Sequence, residues 1–101
     1  MYFEEFEAAG ALTVDIAEDL AALAGRYSSR ITVNSGGRSV QALVLPAAWD
    51  VLRIRAGSVV SVTAEHGHRA AGDEDRLAIR DFVTRFQLLT GEVSSVRDAS
   101  S

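Results

Sequence analysis

Arg30-Ile31-Thr32-Val33-Asn34-Ser35-Gly36-Gly37-Arg38-Ser39-Val40-Gln41-Ala42-Leu43 is the stretch that decides how this chain folds. Ile31 and Val33 alternate with Thr32 and Asn34, the period of a strand with one apolar and one polar face. Ser35-Gly36-Gly37 follows as a tight turn, since glycine takes the positive φ values of short hairpin loops without steric penalty. The stretch therefore predicts an antiparallel hairpin with its second strand over 38–43. Downstream, Ser58-Val59-Val60-Ser61-Val62-Thr63-Ala64 is rich in β-branched residues and sets Val60, Val62 and Ala64 on one side, which predicts another strand. Upstream, Tyr2 to Ala8 is aromatic and acidic, is bounded by Ala9-Gly10, and predicts the first strand.

Between and after these strands the apolar period changes to that of a helix. From Val14 to Ala24, residues Ile16, Ala17, Leu20, Ala21, Leu23 and Ala24 recur at helical spacing and build one apolar face. Thr13 stands where its hydroxyl can accept a bond from an orphan N–H of the first turn, Asp15 complements the positive end of the dipole, and Gly25 supplies a stop. Pro46 has no N–H to lose in a first turn, so Pro46 to about Leu52 predicts a short helix ending before Gly57. A polar loop over 65–72 leads into a long helix. Its acidic opening, Asp73-Glu74-Asp75, suits the dipole, and Ile79, Phe82, Val83 and Phe86 form its core-facing stripe.

A chain of 101 residues, 48% hydrophobic and 24% charged, has enough apolar material for one core and too little length for two. The absence of cysteine removes disulfides, thiolate metal sites and a thiol nucleophile, and fits a reducing compartment. The start carries Glu4, Glu5 and Glu7 in place of a basic region followed by an apolar run, and no apolar stretch reaches the length of a membrane span. The expectation is a cytoplasmic protein with no membrane insertion. All ten basic residues are arginine, scattered between Arg26 and Arg97 in a chain of net charge −4, so the basic footprint of a nucleic-acid binder is missing.

The order strand, helix, strand, strand, short helix, strand, long helix resembles the HPr family of histidine phosphocarrier proteins. The likeness is sharpest from Tyr27 to Ala42 and again over Arg55-Ala56-Gly57-Ser58-Val59-Val60-Ser61-Val62-Thr63-Ala64-Glu65, runs that HPr proteins carry in closely similar form and in the same succession. The loop over 65–72 is longer than the family's, and the short helix holds about one extra residue, departures that loops absorb at small cost. The resemblance implies an α+β open-faced sandwich, β-α-β-β-α-β-α, with a four-stranded antiparallel sheet and three helices on one face. Residues 1–90 would form this domain and 91–101 a mobile C-terminal tail.

The family's chemistry rests on a histidine opening the first helix, followed by Thr-Arg-Pro, where helix N–H groups and the guanidinium receive the phosphoryl group. The matching run here is Leu12-Thr13-Val14-Asp15-Ile16, so Thr13 falls on the histidine, Asp15 on the arginine and Ile16 on the proline. The resemblance thus implies a site without its nucleophile or its cationic clamp, and a chain that is not an enzyme and needs no cofactor. The serine that many members carry at the start of the second helix falls on Val44. Family members dock partners through the exposed side of that short helix and the opening turn of the first, which here makes Thr13, Leu45, Pro46 and Trp49 the candidate surface, with Leu52 beside them leaning to the core. Trp49 is equally suited to core packing.

His66 and His68 stand beside Glu65 and are weak metal-ligand candidates, a solvated loop being the favoured reading. The leading functional expectation is a non-catalytic HPr-like domain binding a protein partner of the phosphotransferase system or carbon metabolism. The alternatives are a phosphocarrier that uses His66 or His68 as a relocated acceptor, and a structural oligomerisation domain built on Trp49. Neither the partner nor the oligomeric state is written in the sequence.

Overall fold

A computed structural model describes residues 2–65 and 73–99, with side chains described through 91. The strands are β1 (Tyr2–Glu7), β2 (Arg30–Ser35), β3 (Arg38–Gln41) and β4 (Val59–Glu65); the helices are α1 (Val14–Ala24), α2 (Leu45–Ala48) and α3 (Asp73–Ala99). The sheet runs β1-β4-β2-β3 and every neighbouring pair is antiparallel. The fold is the α+β open-faced sandwich expected from the order of elements.

The hairpin forms as its glycines require. Gly36 and Gly37 take φ values of 59° and 79°, and Ser35 pairs with Arg38 across the turn. This two-residue loop matches the right-handed twist of its strands. In the central strand β4, Val60, Val62 and Ala64 are fully buried and face the helices, while Ser61 and Thr63 lie on the other, half-exposed side. Ile31 and Val33 sit opposite Ala64 and Val62, so adjacent strands present one continuous apolar surface.

The helices cover that surface. α1 brings Ile16, Ala17, Leu20, Leu23 and Ala24, and α3 brings Ala78, Ile79, Phe82, Val83 and Phe86, all buried. Phe86 meets Phe6 of the edge strand edge-to-face, with ring centroids 5.3 Å apart. The opposite face of the sheet leaves Phe3 and Val59 exposed at 60% and 54%, as an antiparallel sheet with one wet side does.

Several element limits differ from expectation. β3 ends at Gln41, because the fully buried Ala42 opens a 3₁₀ turn over Ala42–Val44. The second helix starts at Leu45 and lasts one turn before a 3₁₀ turn takes over at Trp49–Val51, since Ala48 leaves helical geometry at φ −136°. α1 ends at Gly25 without a left-handed cap: Gly25 has φ −66°, and the N–H groups of Arg26 and Tyr27 tighten onto Leu23 and Ala24. α3 passes through Gly91 and continues to Ala99, so the expected tail is helical backbone up to that residue. Gly91 does not take the positive φ of a left-handed cap, and the helix continues through it.

Candidate functional site

The opening of α1 is held by its neighbours before any chemistry is considered. Ala8 N–H donates to Ser58 at 2.8 Å, Gly57 N–H to Ala8 at 2.9 Å, and Leu12 N–H to Ile54 at 3.1 Å, so the chain entering α1 is laced to the segment before β4. On the other side Gln87 of α3 accepts from Ala9 N–H at 2.9 Å and donates to the Glu7 carbonyl at 2.8 Å. That side chain acts as a backbone surrogate and fixes the turn between β1 and α1.

Within the turn, Thr13 has extended backbone and its Oγ1 accepts from Ile16 N–H at 3.3 Å. Its carbonyl accepts from Ala17 at 2.9 Å, the first rung of the helix. The hydroxyl is therefore a helix cap. Asp15 is exposed in the first turn. His66 and His68 lie outside the described residues, and no metal-ligating cluster of three or more acidic or histidine side chains occurs among those described.

The proposed docking residues divide. Leu45 is fully buried and Leu52 is 3% exposed, so both are anchors beneath the short helix and neither belongs to a surface. Pro46 is half-buried, and Trp49 is half-buried with part of its ring packed on the core. The apolar side chains that do reach solvent here are Leu43 at 62%, Val44 at 50%, Val51 at 41% and, on α1, Val14 at 41%. Their signal was hidden by the one-turn helix: with no full period to read, the sequence does not say which leucine points inward. The Leu12–Ile54 bond at one end, and Leu43 Cδ2 lying 3.9 Å from where a Cβ on Gly25 would stand at the other, lay residues 43–54 antiparallel along α1.

A second polar arrangement was not expected at all. Glu74 and Asp75, read as an acidic opening that suits the helix dipole, are 5% and 6% exposed. Glu74 accepts from Ser28 N–H and Ser28 Oγ, both at 2.6 Å, and Asp75 accepts from Ser29 Oγ at 2.6 Å. Tyr27 donates its hydroxyl to Asp81. These short charge-assisted bonds tie α3 to the chain leaving α1.

No protein-family model matches the sequence, and neither does any curated protein. Solved structures do. HPr-C-His from Thermoanaerobacter tengcongensis superposes with TM-score 0.70 at 22% identity, over 86% of this chain and 92% of its own. The phosphocarrier protein HPr from Bacillus anthracis strain Ames gives 0.70 at 18%, over 85% and 96%. The chain has the HPr fold. The histidine-containing phosphocarrier protein of Mycoplasma is a further neighbour at TM-score 0.57 and 20% identity, over 82% of this chain and 97% of its own. On this HPr fold, the first turn of α1 carries a capping hydroxyl and a carboxylate, and the chain's histidines stand only at 66 and 68.

Proposed function

We propose that this HPr-fold chain is a non-catalytic binding or regulatory domain that acts in the cytoplasm on a protein partner of the phosphotransferase system or carbon metabolism. The observation that carries the reading is the use of Thr13 as the cap of α1, with Asp15 in the same turn. A phosphoryl relay at a helix start needs a nucleophilic ring and a nearby cation. A hydroxyl already accepting a backbone N–H is a poor nucleophile, and a carboxylate beside it repels an incoming dianion. The exposed Leu43, Val44, Val51 and Val14, with the partly covered Pro46 and Trp49, supply an apolar surface of the kind that seats a partner.

The test is incubation of the full chain with phosphoenolpyruvate and the general phosphotransferase enzyme. No acid-labile phosphohistidine is expected. Label that appears, and that vanishes in the His66→Ala, His68→Ala double variant, would replace this reading with a carrier of relocated chemistry. For the binding role, Leu43→Glu and Val44→Glu are expected to abolish calorimetric titration signals with a phosphotransferase-system partner that Asp50→Ala retains. Equal binding by all of these variants would remove the surface from the proposal.

A further inference from the structure

An open cleft of about 460 Å³ lies between the β2–β3 turn and the bend that leads into β4, and its wall carries Arg38 and Arg53. We propose that this cleft binds a small phosphate monoester, its dianionic head held by the two guanidinium groups. The site is separate from the opening of α1 and shares only Val51 with the partner surface, so it goes beyond the function proposed above.

Arg53 is the only non-glycine among the described residues with positive φ, at 51°. A glycine would take that conformation without strain, and strained residues concentrate at functional sites. Leu52 and Ile54 are buried on either side, at 3% and 5%, and Arg53 N–H is held by the Asp50 carbonyl at 3.3 Å. The bend is thus pinned by two apolar anchors, and the exposed arginine between them lines the cleft. Arg38 enters the same cleft from the first position of β3, directly after the glycine turn.

Neither guanidinium is used by the protein. Among the described residues Arg38 and Arg53 have no ion-pair partner, and no carboxylate lines the cleft, in a chain whose net charge is −4. Ser58 adds a donor: its Oγ accepts from Arg55 N–H at 3.0 Å and retains its own proton. The Ser35 hydroxyl is already committed to the Val59 carbonyl at 2.9 Å. Fork-shaped guanidinium donors on separate elements, with a hydroxyl lining the same cleft, suit an anion with several oxygens and two charges over a monocarboxylate. Val51 and Val59, exposed at 41% and 54%, provide an apolar wall for the organic part of the ester. The volume falls within the range of small-molecule sites, roughly 300–1,000 Å³. Glu5 borders the adjoining cleft, which shares Ser35, Gly36 and Val59 with this one, and opposes the anion from that side.

The experiment is titration of the full chain with inorganic phosphate, phenyl phosphate and benzoate, followed by backbone amide shifts. Saturable shifts confined to Gly36, Gly37, Arg38, Arg53, Ser58 and Val59 are expected, tightest for phenyl phosphate. Arg38→Gln and Arg53→Gly should each weaken binding by about tenfold or more. Arg53→Gly relieves the strained bend, so its melting temperature should rise while binding is lost, which separates ligand loss from unfolding. Glu5→Gln should tighten binding. Shifts spread over all exposed arginines, benzoate binding as well as phenyl phosphate, or undiminished binding by Arg53→Gly would each overturn the proposal.

Discussion

A carboxylate taken out of water must find donors, and among those of Glu74 and Asp75 are serines far away in the chain. Asp75 and Ser29 are both buried, at 6% and 7%, so the hydroxyl cannot be replaced by bulk water without reorganisation. Ser29→Ala should therefore cost about 1–3 kcal/mol in urea unfolding. Ser28→Ala should cost less, because Ser28 N–H continues to donate to Glu74. A loss below the error of the measurement in Ser29→Ala would show that water serves Asp75 equally well. The contrast with Thr13 shows what a sequence makes legible at this scale. A cap joins residues three apart and is readable from a threonine before an apolar period, whereas the serine–acid bonds span 46 positions and have no local signature. For the same reason the acidic opening of α3 looked like simple dipole compensation.

At the scale of elements, legibility follows the length of the repeating pattern. α1 holds three turns of apolar period with chemistry at its start, and its span matches the reading of the sequence. The β2–β3 hairpin is marked by adjacent glycines that no strand tolerates, and it forms where expected. The segment over 42–54 has no such period, which is why Leu45 was placed on the surface and Leu43 and Val51 were not, while Leu52 was read as leaning to the core, where it lies. Glycine is the ambiguous letter, since Gly57 and Gly91 are written alike but used differently. Gly57 has φ 86° and needs to be glycine, whereas Gly91 continues α3, with its absent Cβ at an ordinary 3.6 Å from Ala9 Cβ. Gly91→Ala should raise stability by about 0.5–1 kcal/mol, through lower entropy of the unfolded chain and better helix propensity. Gly57→Ala should lower it by about 1 kcal/mol or more. Thermal unfolding of both variants checks the pair, and shifts of the same sign would contradict the backbone assignment.

At the scale of the whole molecule, α3 is longer than the sheet it covers. The longest strand has seven residues, and at about 3.3 Å per residue it spans roughly 23 Å. The helix has 27 residues, which at 1.5 Å rise span about 40 Å. Among the described side chains of α3, the last that join the core are Phe86, the partly buried Leu89 and the fully buried Thr90, whose hydroxyl donates back to the Phe86 carbonyl at 2.8 Å. The HPr-fold structures cover 82–86% of this chain while matching 92–97% of themselves, which leaves a remainder that the shared fold does not require. We therefore propose that the folded domain ends near residue 90. Ending the chain after Glu92 preserves every core residue among those described and the Thr90 bond. It should change the free energy of unfolding by no more than about 0.5 kcal/mol, while the helical circular dichroism per molecule falls. Residues 93–99 would then be helix that the core does not need. A loss of more than about 1 kcal/mol, outside the usual range for changes that touch no buried contact, would mean instead that the end of α3 packs on the domain and belongs to it.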